Sequence, residues 1–117
     1  MSVPFLLLAL AGSAADETTD CKNAASTAAM RACENKRYQE ADRQLNVVYT
    51  RLIATLDNDQ KQKLRLAQRA WLQFRDTNSD FLAAAASGGT LGPLLKITAM
   101  ADMTEARVKE LSHYGQP

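Results

Sequence analysis

The segment LLKITAMADMTEARVKEL, residues 94–111, carries the clearest structural signal in this chain of 117 residues. Small and apolar side chains recur along it with steps of three, four, three, four and three residues: Leu94, Ile97, Ala101, Thr104, Val108 and Leu111. An α-helix turns once in every 3.6 residues, so this spacing places them on one face. The segment therefore predicts an amphipathic helix that begins near Pro93 and ends near His113.

Two longer segments upstream show the same period, over residues 26–56 and 60–86. Ser26 and the turn residues 57–59 are suitable N-terminal caps. The predicted apolar face of the first helix consists of Met30, Cys33, Tyr38, Ala41, Leu45, Val48, Leu52 and Leu56. That of the second consists of Leu64, Ala67, Trp71, Phe74, Asn78, Phe81, Leu82 and Ala85. No segment alternates as a strand does, so we predict an all-α domain: a three-helix antiparallel arrangement with long first and second helices.

The first fifteen residues have the features of a secretory signal peptide. An apolar run, residues 5–11, is too short to span a bilayer and is followed by four small residues. We expect cleavage after Ala15 or one residue earlier, which leaves a mature domain of residues 16–117 in the periplasm or outside the cell. Ser13 stands where a bacterial lipoprotein signal has its cysteine. We therefore expect no stable membrane anchor.

Positive and negative charges are balanced along the chain. There are 14 basic and 13 acidic residues, which gives a net charge of +1, and both signs are interspersed along each predicted helix. Nucleic-acid-binding domains usually carry a basic stripe, so we expect no nucleic-acid partner. The most basic stretch, residues 61–69 at the start of the second helix, is interpreted as a solvated helix face.

The mature segment contains two cysteines, Cys21 and Cys33. In an exported chain this short, an even number of cysteines indicates a disulfide; two reduced, buried thiols are the alternative. A structural zinc site needs four ligands, and the only histidine, His113, is distant from both cysteines. We therefore predict a disulfide between the two cysteines and no bound metal or other cofactor.

No combination of residues typical of an active site occurs in the sequence. Asp76 and Asp80 lie four residues apart on one helix face, but no cleft is predicted that would shift their pKa values. His113 has no cysteine or serine placed to act as its nucleophile. A phosphate-binding glycine loop and the HExxH and GxSxG motifs are absent. We therefore expect no catalytic residues and predict a protein that acts by binding a partner.

Polar side chains fall on or beside the apolar face of the second helix. Gln68, Arg75 and Asn78 form either an internal hydrogen-bond network or, where the helix extends beyond the core, an exposed binding surface. Trp71 lies four residues before Arg75, a spacing at which the guanidinium reaches over the indole. This pair is either a hot spot for a protein partner or part of the core. We favour the core, because Trp71 lies at the centre of the apolar face.

Two motifs resemble those of a known family. Residues 42–52, DRQLNVVYTRL, are similar to the DxxLNxxYxxL segment of the LprI-like lysozyme-inhibitor N-terminal family. Residues 64–76, LRLAQRAWLQFRD, are similar to its LxxAQRAWxxxRD signature. A glycine turn at residues 88–90 and the pattern Thr104-x-x-Arg107-x-x-x-Leu111 complete the resemblance, which covers nearly the whole mature chain in order.

This resemblance implies a secreted or periplasmic helical domain, and it adds Asp76 and Arg107 to the residues proposed for partner binding or an internal polar network. Members usually carry two disulfides, whereas this chain has Ser79 and Ala99 where many members have cysteines. The implied function is binding and inhibition of a lysozyme-like muramidase. The alternative is a non-inhibitory periplasmic module that binds another envelope protein. A net charge of +1 does not supply the acidic surface that would steer an inhibitor toward a strongly basic lysozyme.

Overall fold

A computed structural model describes residues 21–86 and 88–116. Over these residues the chain forms a short 3-10 helix, Cys21–Asn23, and three α-helices: α1, Thr27–Ala54; α2, Asn58–Ala84; and α3, Leu91–Tyr114. These ranges contain no strand, so the predicted all-α class with three helices is confirmed. The predicted signal peptide lies outside the described residues.

The helices begin and end close to the predicted positions. The Ser26 hydroxyl accepts a hydrogen bond from the Ala29 N–H at 3.1 Å, so it caps α1. The Asp57 carboxylate caps α2 by accepting from the Gln60 N–H at 2.8 Å, and α2 therefore begins two residues earlier than predicted. Two glycines follow α2, Gly88 with φ 79° and Gly89 with φ 70°. This left-handed conformation favours glycine, as the predicted turn required.

Consecutive helices run antiparallel, so α1 and α3 are parallel to each other. The end of α1 packs on the end of α3, where Leu52 and Leu111 belong to one apolar cluster. Helix α2 runs in the opposite direction to α3. Gln68, in the first half of α2, bonds to Arg107 near the end of α3. Asp80, near the end of α2, pairs with Lys96 near the start of α3.

The apolar core lies where the end of α1, the start of α2 and the end of α3 meet. Leu45 and Leu52 of α1 and Leu111 of α3 are buried at its centre. Half-buried side chains pack around them: Val48, Tyr49, Leu56, Leu64, Trp71 and Val108. Full burial of one leucine side chain stabilises a fold by about 1.5–3 kcal/mol, so this cluster is the main apolar contribution to stability.

The predicted apolar face of α2 is wrong in part. Phe74 is 57% exposed and Phe81 is 72% exposed. Three further predicted members of that face are also exposed: Ala67, Leu82 and Ala85. The residues that α2 buries are Gln68, Arg75 and Ser79, all polar. Helix α2 is rotated in this way because α3 supplies hydrogen-bond partners for Gln68 and Arg75. The spacing of apolar residues along α2 does not indicate these partners.

Close backbone packing joins the end of α2 to the start of α3. Gly92 is buried, and a Cβ atom at this position would lie 3.4 Å from the carbonyl oxygen of Ala83 and 3.5 Å from that of Ala86. Both distances are ordinary van der Waals contacts, so the first turn of α3 lies directly against the last turn of α2.

A disulfide joins the 3-10 helix to α1. The Cα atoms of Cys21 and Cys33 are 5.4 Å apart, and Cys21 is 3% exposed. The predicted pairing is thus formed in the structure. Closing a loop of this length stabilises the fold by about 3 kcal/mol in the chain-entropy model.

Candidate functional site

Four side chains from three helices stack together in the interior. The guanidinium carbon of Arg75 lies 5.5 Å from the ring centroid of Tyr38 and 5.3 Å from that of Trp71. The guanidinium carbon of Arg107 lies 5.8 Å from the same Trp71 ring. We call these four residues the arginine–aromatic stack. Each desolvated contact of this kind stabilises the fold by up to about 2 kcal/mol, so the stack holds α1, α2 and α3 together.

Hydrogen bonds fix Arg107 in the stack. Its Nε donates to Gln68 Oε1 at 3.0 Å, and its Nη1 pairs with Glu110 Oε1 at 3.2 Å. Arg107 is 9% exposed and Gln68 is 8% exposed. A buried guanidinium needs both an acceptor and a counter-charge. The amide of Gln68 supplies the first from α2, and the half-exposed carboxylate of Glu110 supplies the second from the next turn of α3.

Arg75 is held in a similar way. Its Nε donates to Asp76 Oδ1 at 2.9 Å, and its Nη1 donates to Thr104 Oγ1 at 3.4 Å. Arg75 is 6% exposed and Thr104 is fully buried. The Asp76 carboxylate is 55% exposed, so it balances the buried charge from the protein surface. Both arginines therefore reach from the interior to an acidic group at the edge of the bundle.

The α2–α3 contact continues beyond the stack with weaker polar interactions. The side-chain amide of Asn78 lies 3.4 Å from Met103 Sδ. Ser79 is fully buried, and its hydroxyl has no hydrogen-bond partner among the residues that the structure describes. Ala99 is also buried. At positions 79 and 99 the chain thus buries one hydroxyl without a partner among the described residues and one methyl group.

A groove of about 360 Å³ lies between α1 and α2, beside the stack. Its lining consists of Asp42, Leu45, Asn46 and Tyr49 from α1 and Arg65, Gln68, Arg69 and Leu72 from α2. We call it the α1–α2 groove. Arg65 and Arg69 are exposed, and neither forms an ion pair within residues 21–86 and 88–116. Because Gln68 also bonds to Arg107, the groove and the stack share a side chain.

A separate charged cluster ties α1 to α3. Arg37 bonds to Glu105 at 2.8 Å, to Glu34 at 2.6 Å and to Asp102. The hydrogen bond with Glu105, opposed in part by burial, raises the pKa of Arg37, so the guanidinium stays charged. Glu34 is 3% exposed, and Arg37 therefore compensates a buried carboxylate. The sequence reasoning missed this cluster. The only signal for it was the spacing of three residues between Glu34 and Arg37.

The two aspartates considered as a catalytic pair each have a basic partner. Asp76 pairs with Arg75, and Asp80 pairs with Lys96 at 2.7 Å. The hydrogen bond from Lys96 to Asp80 raises the pKa of Lys96. Both carboxylates are more than half exposed. The pair of Asp76 and Arg75 therefore lies within α2, and that of Asp80 and Lys96 is a surface ion pair between α2 and α3.

No group of three or more His, Cys, Asp or Glu side chains in the described part of the chain could hold a metal ion. No helix there is long and apolar enough to cross a bilayer.

Residues 19–111 match the protein family described as Lysozyme inhibitor LprI. The chain belongs to the LprI family. An uncharacterized protein of Rhizobium meliloti (strain 1021) is 30% identical in an alignment 105 residues long. The alignment covers 79% of this chain and 76% of that protein. No solved structure matches the chain. The resemblance found in the two sequence motifs is thereby confirmed, and LprI is an inhibitor family rather than an enzyme family.

The structure brings most of the predicted candidate residues of this LprI-family chain together. Trp71, Arg75 and Arg107 lie in the stack. Gln68 and Asp76 hydrogen-bond to its arginines, and Asn78 lies beside it. Sequence reasoning missed Tyr38 and Thr104 as partners of Arg75. It also missed the α1–α2 groove, although Tyr49 and Arg69 lie within the two LprI motifs. The sequence signal that could have indicated this groove is the pair of like charges at Arg65 and Arg69, four residues apart.

Proposed function

We propose that this LprI-family protein is exported and binds and inhibits a lysozyme-like muramidase in the periplasm or outside the cell. The observation that supports the proposal is the family match over residues 19–111, which includes almost all of the three helices. The family is named for lysozyme inhibition, which implies a protein partner. Inhibition needs a surface that covers a substrate cleft, and it needs no catalytic group.

In this function the candidate residues hold the binding surface in position. Trp71, Arg75 and Arg107 connect α2 to its neighbours, and Gln68 and Asp76 hydrogen-bond to these arginines. The disulfide and the Arg37 cluster hold α1 to the 3-10 helix and to α3. A rigid surface loses little conformational entropy on binding, so these contacts favour affinity even where they do not touch the target.

Export is part of the proposal, with residues 1–15 as the signal peptide and residues 16–117 as the mature LprI domain. After expression in a bacterium and extraction of the periplasm, intact-mass analysis is expected to give a chain that begins at Asp16 or Ala15. A mass that retains Met1, or one that carries a lipid, would contradict this part of the proposal.

The inhibitory function is tested with the purified mature domain and a panel of lysozymes from several structural classes. Clearing of a bacterial cell-wall suspension measures activity, and calorimetric titration of the same enzymes measures binding. We expect stoichiometric loss of activity in at least one class, with binding to that enzyme. The domain unfolded by reduction and heat is the matched control. Full activity of every enzyme in a molar excess of the folded domain would refute inhibition.

A second candidate function is a non-inhibitory periplasmic module that binds another envelope protein. The exposed aromatic rings of Phe74 and Phe81 favour it, because exposed aromatic side chains are enriched at protein interfaces. Cross-linking in the periplasm, followed by mass spectrometry, distinguishes the two functions. Adducts to a protein other than a muramidase, with no inhibition in the panel, would favour the second.

A further inference from the structure

We infer that the α1–α2 groove is the surface that meets the muramidase, where Arg65 and Arg69 pair with carboxylates of the enzyme's substrate cleft. The inference rests on the proposed function and adds to it a contact surface and the chemistry of recognition. It goes beyond the interpretation of residues 61–69 as a solvated helix face, which agrees with the exposure of Lys63, Arg65 and Arg69.

The first support is an uncompensated pair of like charges. Arg65 and Arg69 lie four residues apart on α2, so their side chains are neighbours on the helix surface. Both are exposed, and in the described part of the chain neither has an acidic partner within salt-bridge distance. Like charges at this spacing destabilise a helix. An anionic group placed between them would relieve that repulsion.

The second support is the local balance of charge. Residues 42–72, which contain the whole groove lining, include six Lys or Arg and three Asp or Glu. Their net charge is therefore +3, against +1 for the complete chain. Glu40, which pairs with Arg43 just outside this range, lowers the local charge to +2, so the nearly neutral protein carries a modestly basic region along α1 and the first half of α2. Recognition through this region acts at short range and does not require a strong field around the whole molecule.

The third support is the chemistry of the groove lining. A guanidinium forms two parallel hydrogen bonds to one carboxylate, which gives direction as well as attraction. The side-chain amide of Asn46 and the ring of Tyr49 lie opposite on α1, and Leu72 is 36% exposed at the rim. The groove therefore offers two cations, hydrogen-bonding groups and an apolar contact within one surface, beside a single carboxylate, that of Asp42.

The occupant that this chemistry fits is the cleft of a muramidase. Glycosidases of this type cleave their substrate between two carboxyl groups, so the centre of the cleft is acidic. A protein surface that places two guanidinium groups against those carboxylates covers the catalytic centre as well as binding it. The charge complementarity therefore accounts for both affinity and inhibition.

A second groove, between the starts of α1 and α3, is a weaker candidate. Arg31 and Lys96 lie in its lining. Lys96 is already paired with Asp80. Among the described residues, the lining of this second groove therefore keeps one cation without an acidic partner, Arg31, against two in the α1–α2 groove.

The test compares charge reversal inside and outside the groove. The double variant Arg65→Glu/Arg69→Glu is matched with Lys36→Glu/Lys109→Glu, which changes the net charge equally at exposed positions that do not line the groove. Both are measured against the lysozyme that the wild-type domain inhibits most strongly. We expect the dissociation and inhibition constants of the groove variant to rise about 100-fold or more. Each desolvated charge pair that is lost at an interface weakens binding by about tenfold or more, and this variant loses two. The control variant should stay within about threefold, since rim charges act mainly on the association rate.

Two further measurements make the test specific. The variant Arg65→Lys/Arg69→Lys keeps the charge but loses bidentate geometry, and we expect it to bind about tenfold more weakly than the wild type. Thermal unfolding of all variants checks that each domain is folded, which is expected because both arginines are exposed. A chitooligosaccharide that fills the enzyme's cleft should compete with the wild-type domain.

Each outcome has one meaning. Equal inhibition by the wild type and the folded Arg65→Glu/Arg69→Glu variant would overturn the groove inference and leave the proposed function standing. An equal loss in the control variant would also overturn it, because net charge would then explain the effect. If the wild type binds no lysozyme in the panel, the proposed function itself fails, and the inference fails with it.

Discussion

Helices α2 and α3 lie side by side and have similar lengths, 27 and 24 residues, yet they bury different kinds of side chain. The buried positions of α3 include Ala101, Thr104 and Leu111, as its period predicts, together with Ala99 and a single charged residue, Arg107. Those of α2 are polar, while Phe74 and Phe81 face outward. The difference shows that an apolar period can establish a helix without establishing which way the helix faces.

The reason is the directionality of the contacts that hold α2. An apolar face can slide or rotate by a small angle with little loss of buried area. Hydrogen bonds to a charged group contribute about 1.5–3 kcal/mol each and depend steeply on geometry. The bonds from Arg107 to Gln68 and from Arg75 to Thr104 therefore determine the rotation of α2 on α3.

The largest expected effect is that of Trp71→Ala, which removes the ring shared by both arginines and by the apolar cluster. We expect a loss of about 3–5 kcal/mol in the free energy of unfolding. Urea unfolding should show a much lower midpoint with little change in the m-value. Leu66→Ala, at a position 57% exposed, is the control and should change stability by less than about 0.5 kcal/mol. Wild-type stability with abolished partner binding would instead place Trp71 in the interface.

The polar attachment of α2 is tested more directly by Gln68→Leu. This change leaves the Nε of a buried guanidinium without its acceptor, and we expect a loss of about 1–3 kcal/mol, although a leucine is more apolar than a glutamine. Gln73→Leu, on the exposed side of the same helix, should be nearly neutral. Denaturant midpoints measure both variants. A neutral Gln68→Leu would mean that apolar contacts alone orient α2.

A smaller effect of opposite sign is expected for Ser79→Ala. The change removes a fully buried hydroxyl that has no partner among the described residues, so the variant should be more stable by about 1 kcal/mol. For a domain of this size that corresponds to a rise of roughly 4–8 °C in Tm, which calorimetry measures. Ser112→Ala, at an exposed position of α3, is the control. A fall in Tm would show that the hydroxyl has a partner in solution.

The smallest effects are expected on the outer face of α2. Phe74→Ala and Phe81→Ala each remove an aromatic ring that the fold leaves largely in water, and each should change the free energy of unfolding by no more than about 0.5 kcal/mol. Thermal unfolding measures the effect, and light scattering reports the oligomeric state. A cost above 2 kcal/mol that depends on protein concentration would mean that a second copy covers this face.

Taken by itself, the sequence determined the helical class, the three helices and the capping residues Ser26 and Asp57. These features follow from local chemistry, because capping and amphipathic periodicity involve residues within a few positions of one another. The pairing of the two cysteines was also predictable, since the sequence contains only two. The buried faces of α1 and α3 followed in large part from their apolar residues, whereas the buried charged residues Glu34 and Arg107 did not.

Only the tertiary structure decided the rotation of α2, the partners of its arginines and the existence of the α1–α2 groove. Tyr38, Gln68 and Arg107 lie far apart in sequence, and each belongs to a different helix. No period within α2 records that α3 will present Thr104 and Arg107 to it. A buried polar side chain takes its orientation from a partner, and that partner is set by the packing of whole helices.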